Sequence, residues 1–165
     1  MDKSHRESFS GLSFIELKQF LDEKVLQYNT TKFIESDPIQ VPHLFSRKED
    51  IEIAAFLTAT IAWGNRKSII KNANRLMALM DYQTQDLNVF EGFVHRTFNA
   101  TDAIQFIKSL NHIYTKHNGM EALFSRFANE GLQYAIHKFK MHFFEIEHSK
   151  RTQKHISDPL KNSAA

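Results

Sequence analysis

Hydrophobic residues recur every three or four positions over long stretches of the chain, which is the spacing of one face of an α-helix. Residues 47–62 are apolar on nearly all sides, as is typical of a central, buried helix. Gly and Pro are scarce, with 5 and 3 residues. The pattern predicts an all-α fold, a compact bundle of about six or seven helices, with further helical segments at 13–28, 66–81, 86–95, 101–116, 120–129 and 132–147.

Capping residues precede several of these segments. Ser46 and Glu49 have the spacing of a capping box at the start of the 47–62 helix. Asp50 and Glu52 add negative charge at the same end, which the helix dipole favours. We therefore interpret these acids as a helix start rather than a catalytic or metal site. Thr101 is the predicted cap of the 101–116 helix.

Length and composition indicate one ordinary globular domain. The chain has 165 residues, of which 42% are hydrophobic and 24% charged. We divide it into a flexible tail (1–11), a helical domain (12–147) and a basic connector (148–165). The final letters DPLKNSAA have the pattern of a turn followed by the opening of another helix, so we expect a truncation point there and an N-terminal part of a longer fold.

Charge, cysteine content and targeting signals indicate which cellular compartment and which kinds of partner to expect. The net charge of +2 is too small to indicate nucleic acid by itself, so local clustering must carry that argument. The chain contains no Cys, which fits a reducing cytoplasm. No secretory signal and no apolar run of about 18 residues is visible, so we expect a cytoplasmic protein with no membrane partner.

One stretch, TIAWGNRKSIIKN at 60–72, carries an unusual density of cations. On a helix, Lys67, Lys71 and Arg75 fall at i, i+4 and i+8 and share one face, while Arg66 lies beside the first of them. Like charges at i,i+4 cost roughly 0.2–0.5 kcal/mol per pair, and no acid follows until Asp81.

Two interpretations of this stretch remain open. Acids from another helix, or water, could neutralise the cations. Alternatively, an anion such as phosphate binds where the free N–H groups of a helix start meet Arg and Lys. Asn65, which can also cap the helix, and Trp63 would then contact a base or sugar.

Other motifs give weaker signals. The segment HSKRTQKH at 148–155 is a solvated link by itself, and supports phosphate binding only if it meets the first stretch in space. His142, Glu145 and His148 follow one another at three-residue spacing, and Glu-x-x-His is half of a di-iron motif. The other half is missing. We therefore predict no metal and no cofactor, and we assign no catalytic residue.

Three longer stretches are specific enough to indicate a family: DPIQVPHLFSRKEDIEIAAFLTATIAWGNRKSIIKNANRLMALMD, HRTFNATDAIQFIKSLNHIY and RTQKHISDPLKNSAA. They resemble the bacterial domain-of-unknown-function family numbered twenty-four hundred. The resemblance covers nearly all of residues 12–165. Full-length members are longer and continue into a second helical half, so this chain is similar to their N-terminal portion.

The full-length form of that family is distantly similar to the helix-hairpin-helix DNA glycosylases. In those enzymes a helix, a polar turn and a second helix face DNA, and the turn inserts beside a flipped base. Matched by position, IAWGNRKSII is that segment, with Asn65 at the inserting turn. The chain lacks a Pro-Gly-Val-Gly type hairpin and the catalytic Asp or Lys that follows it. The resemblance thus implies that this chain does not catalyse base excision alone.

The leading prediction is noncatalytic contact with duplex DNA by a glycosylase-like helical domain. Backbone phosphate would bind Asn65, Arg66, Lys67, Lys71 and Arg75, with Trp63 stacking or packing beside them. The alternative is a protein-interaction or assembly module, whose apolar surface is covered by a missing C-terminal half or by a second copy in a homo-oligomer. A third option, an enzyme acting on a nucleoside-like ligand, lacks an identifiable base or nucleophile.

Overall fold

The computed structural model describes residues 11–81 and 86–160, with only the backbone of Asp81 included. The chain forms two compact units, Met1–Asp37 and Pro38–Ala165, which are described separately. Most of the predicted tail, and the last five residues of the predicted connector, lie outside the described residues.

The first unit contains helix α1 (Phe14–Tyr28) and the single helical turn α2 (Thr31–Ile34). The predicted 13–28 helix is therefore confirmed. Ser13 caps it through a capping box, since Glu16 N donates to Ser13 Oγ at 3.3 Å and Ser13 N donates to Glu16 Oε2 at 2.8 Å. No residue of α1 is buried, and the side chain of Phe14 is 80% exposed.

Helices also dominate the second unit, which confirms the all-α prediction. It contains α3 (Lys48–Thr60), α4 (Arg66–Asp81), α5 (Ala100–Lys116), α6 (Met120–Arg126) and α7 (Leu132–Phe143). Short 3-10 turns lie at Pro38–Gln40, Pro42–Leu44, Leu87–Phe90, Ala128–Glu130 and Thr152–His155.

A short β-hairpin interrupts this helical pattern. Strands β1 (Val94–His95) and β2 (Phe98–Asn99) are antiparallel, with His95 opposite Phe98. The predicted helix over 86–95 is therefore wrong, since only the 3-10 turn Leu87–Phe90 is helical there. Gly92 has a φ of +71°, a left-handed conformation that an α-helix does not contain, and the chain turns there into β1.

Phenylalanine rings form the centre of the core. Phe106 on α5 is buried and contacts rings from three other elements. Its centroid lies 5.9 Å from Phe56 on α3, 5.2 Å from Phe98 on β2 and 5.0 Å from Phe143 on α7. Helix α3 contributes Phe56 to this centre, but it is not buried on all sides as expected, because Ile51 is exposed.

Two predicted caps are wrong. Helix α3 begins at Lys48 with Arg47 as its N-cap, so Ser46 lies one residue before the cap and does not form the predicted capping box with Glu49. The acids of this turn instead contact Arg47, at 4.0 Å from Glu49 and 3.8 Å from Asp50. These acids therefore still stabilise the start of the helix, because they interact favourably with the helix dipole and with Arg47.

The cap of α5 is Asn99 rather than Thr101. Asp102 N donates to Asn99 Oδ1 at 3.2 Å, and Asn99 N donates to Asp102 Oδ2 at 3.0 Å. Thr101 is already the second residue of the helix. Asn99 is the cap because Asp102, three residues later, accepts a hydrogen bond from the Asn99 backbone N–H and so completes a capping box.

The buried carboxylate of Asp102 also anchors the C-terminal segment. Its Oδ1 accepts from Thr152 Oγ1 at 2.8 Å, and its Oδ2 accepts from the guanidinium of Arg151. His155 Nε2 lies 3.4 Å from the same oxygen. The basic segment around 148–155 is therefore fixed against the first turn of α5.

None of the helices in the described ranges is long and apolar enough to cross a membrane.

We expect Asp102→Asn to lower the free energy of unfolding by about 2–3 kcal/mol, because it weakens several charge-assisted bonds at once. Arg151 is half-exposed, which keeps the loss below that of a fully buried ion pair. Equilibrium urea unfolding measures the change. Asp22→Asn, which removes an exposed partner of Lys18, is the control and should change stability by less than about 0.5 kcal/mol.

Candidate nucleic-acid interface

The candidate site is the corner between α3 and α4, here called the basic corner: Trp63, Asn65, Arg66, Lys67, Lys71 and Arg75. Helix α4 begins at Arg66, as predicted. Asn65 caps it, since Ser68 N donates to Asn65 Oδ1 at 3.2 Å. The cap uses the carbonyl oxygen of the Asn65 amide, so the NH₂ group is the part of this side chain directed to other contacts.

The cations of α4 share one exposed face, as the spacing predicts. Lys67, Lys71 and Arg75 are exposed, whereas Ile69 and Leu76 on the other face are buried. Within the described ranges, neither Lys67 nor Lys71 forms an ion pair. The polar contact of Arg75 is with a carbonyl, because its Nη2 donates to Gly92 O at 3.5 Å.

A further cation, Arg96, joins the corner from the turn between β1 and β2. Its guanidinium carbon lies 4.6 Å from the ring centroid of Trp63, a cation–π contact. Gly64 makes this approach possible: its φ is +111°, and a Cβ built on it would lie 3.2 Å from Arg96 Nη1. The sequence did not indicate Arg96, because residues up to 95 had been interpreted as helix and its partner Trp63 is 33 positions away.

The buried side chain of His95 links the hairpin to the basic corner. Asn72 Nδ2 donates to His95 Nδ1 at 2.9 Å, and His95 Nε2 donates to Trp63 O at 3.3 Å. This pairing fits the Nε2-protonated tautomer. Trp63 therefore has a fixed backbone, and its side chain is 38% exposed with Arg96 over one face. Trp63 is therefore packed against Arg96 and also partly accessible to solvent.

The second basic segment reaches the same hairpin. Arg151 Nη1 donates to Thr97 O at 2.7 Å, next to Arg96 in the chain. This segment therefore contacts the turn that carries Arg96, whereas its meeting with residues 60–72, on which the phosphate interpretation depends, stays a prediction. The charge of Arg151 itself is paired with Asp102.

A separate cluster lies at the other end of α5, here called the histidine cluster: His112, His117, His142 and Glu145. Glu145 Oε2 accepts from His112 Nε2 at 2.9 Å, and Glu145 Oε1 accepts from His142 Nδ1 at 2.5 Å. The three-residue spacing suggested that His148 would join His142 and Glu145. Instead, His148 Nδ1 contacts Ile146 O. His112 and His117 could not be added, because no local spacing connects them with residues 142–145.

Hydrogen bonding to His112 lowers the pKa of the Glu145 carboxyl, and burial lowers the pKa of the His117 imidazole. Glu145 is therefore ionised, and His117 favours the neutral form. A neutral imidazole beside a carboxylate is a proton acceptor or a metal ligand.

Comparison with known proteins identifies a family for this fold. The family model described as "Protein of unknown function (DUF2400)" matches residues 37–165, which is most of the chain. Comparisons with curated proteins and with solved structures gave no match.

We expect Arg96→Ala to alter the fluorescence of Trp63, the only tryptophan of the chain. Removing the guanidinium from the indole face gives water access to the ring. The emission should therefore shift to longer wavelength, and acrylamide quenching should increase. Lys71→Ala removes the same charge without touching the ring and should leave both quantities unchanged. Equal spectra for the two variants would contradict the cation–π contact.

Proposed function

This chain belongs to the DUF2400 family of proteins of unknown function, and from that premise we propose that it is a noncatalytic, glycosylase-like helical domain that contacts duplex DNA. The contact is made by the basic corner, with Arg96 as an additional member. The observation that carries the proposal is the exposed row formed by Lys67, Lys71 and Arg75.

Lys67 and Lys71 have no carboxylate partner among the residues that the structure describes, which supports an anionic ligand. Like charges one turn apart repel by roughly 0.2–0.5 kcal/mol per pair, and cations at a helix start oppose the dipole. Neither cost is relieved at Lys67 or Lys71 by an ion pair within the described part of the chain. Binding of phosphate would relieve both costs at once, since it neutralises charge and meets the positive end of α4.

The spacing of the cations suits a nucleic-acid backbone. Lys67 and Arg75 are eight residues apart on α4, which corresponds to about 12 Å along the helix. A row of this length reaches more than one phosphate, since phosphates follow one another along each strand at a few ångströms. Single cations would bind an isolated anion, whereas an exposed row favours a polyanion.

The turn before α4 supports the resemblance to a DNA-facing hairpin. Asn65 is exposed between the two helices and uses only its Oδ1 in the cap, and Trp63 presents part of its ring beside Arg96. An amide donor and an aromatic edge are the kinds of groups that contact sugar and base edges. In this role Trp63 contacts DNA through the exposed part of its ring that Arg96 does not cover.

We expect Lys67→Ala combined with Lys71→Ala to weaken binding to a labelled DNA duplex at least tenfold at moderate salt. Each lost phosphate contact also reduces the salt dependence, so the slope of log K against log salt should decrease in magnitude by about 2. Fluorescence anisotropy at several salt concentrations measures both quantities.

Lys108→Ala combined with Lys116→Ala is the matched control, because these exposed lysines of α5 carry the same charge outside the basic corner. The control should bind DNA like the unchanged protein. Equal weakening by both pairs would indicate a nonspecific charge effect, and no measurable duplex binding at low salt would refute the proposal.

A second candidate function is protein interaction or assembly, which the surface of α1 favours. Five of its large apolar side chains are more than half exposed: Phe14, Ile15, Leu21, Val25 and Leu26. Exposed apolar patches of this kind mark interfaces. Under this alternative, sedimentation should reveal a concentration-dependent dimer that Leu21→Asn combined with Leu26→Asn disrupts, and the protein should not bind DNA.

A further inference from the structure

We propose that the histidine cluster is a binding site for a divalent transition-metal ion of the zinc type, held by His112, His117 and Glu145. This site is separate from the basic corner, and the inference does not depend on DNA binding. His112 and His117 lie at the C-terminal end of α5, and Glu145 follows the end of α7. Two helices that are distant in sequence thus bring three ligands together.

The distances suit a tetrahedral ion. One ligand atom from each of the three residues lies within 4.8 Å of the others. Zinc–nitrogen bonds of about 2.0–2.1 Å place neighbouring tetrahedral ligand atoms roughly 3.3 Å apart. His117 Nε2 already lies 3.4 Å from Glu145 Oε2, so only small side-chain rotations would be needed.

His117 supplies an independent argument for a ligand. Its side chain is only 11% exposed, yet Nδ1 has no hydrogen-bond partner and Nε2 has only the long contact of 3.4 Å with Glu145 Oε2. A buried polar group without a partner costs free energy, and native structures normally satisfy such groups. A metal ion between His117 and Glu145 would satisfy the Nε2 atom.

The helix ends favour a cation, and Arg126 already supplies one positive charge there, because its Nη2 donates to His117 O at 2.7 Å. Both α5 and α7 end at the cluster, and each helix C-terminus carries roughly half a negative charge. His142 hydrogen-bonds Glu145 Oε1, which leaves Oε2 directed toward the other two histidines. An outer partner of this kind orients a metal-binding carboxylate.

The ligand set selects the class of metal. Two imidazoles and one carboxylate are borderline ligands that suit zinc, cobalt or nickel better than calcium or magnesium. Three protein ligands leave a fourth tetrahedral position for water. Binding would require the proton that His112 Nε2 now donates to Glu145 to move to His112 Nδ1, so that Nε2 is free to bind the ion.

The test is a calorimetric titration with zinc of the metal-free protein, prepared without a polyhistidine tag. We expect one ion per chain, and we expect Glu145→Gln to weaken the affinity at least tenfold. Cobalt in place of zinc should give the intense visible absorption of a tetrahedral site. Zinc at a hundredfold excess over Kd should raise Tm by about 5 °C or more.

Glu147→Gln is the matched control, because it removes the same charge two residues away on an exposed side chain. It should bind zinc like the unchanged protein. His112→Gln is a second ligand variant, and circular dichroism checks that each variant is folded. Absence of zinc binding would overturn the proposal, as would binding that survives both Glu145→Gln and His112→Gln.

Discussion

Aromatic packing around Phe106 is the constraint on which the second unit depends. One buried ring on α5 contacts rings from α3, the β-hairpin and α7. The contacts with Phe98 and Phe143 are edge-to-face and the contact with Phe56 is stacked, and both geometries add directional preferences to the burial of apolar surface. The hairpin can present Arg96 to Trp63 because Phe98 fixes its second strand in the core. In the same way, α7 can bring Glu145 to α5 because Phe143 is fixed by Phe106.

The sequence predicted most of the helices but not all of their exact bounds, since α7 ends at Phe143 rather than at residue 147. Helix α4 was predicted at its observed bounds, because Gly64 and Asn65 form an unambiguous break and cap. The starts of α3 and α5 were misplaced, because residues able to cap stand close together there and tertiary contacts select among them. The hairpin was missed for a different reason. Strands of two residues are too short to show an alternating pattern, so the helical neighbours dominated the prediction.

The candidate sites were predictable only where their residues are close in sequence. The face shared by Lys67, Lys71 and Arg75 follows directly from helical periodicity. Arg96 could not be placed, because its contact with Trp63 depends on how the hairpin folds. The histidine cluster was beyond sequence reasoning as well, since its ligands come from two helices whose approach depends on phenylalanine packing rather than on any motif.

Helix α5 separates these two regions. Its N-terminal end carries the hairpin and the anchor of the basic segment, and its C-terminal end carries the histidine cluster. Seventeen residues of α-helix span about 25 Å. Sites this far apart without shared partners normally contribute independently to stability, so their substitutions should be additive. A departure from additivity in a combined variant would reveal that α5 transmits a change from one end to the other, and the chain would then be a candidate for allosteric control.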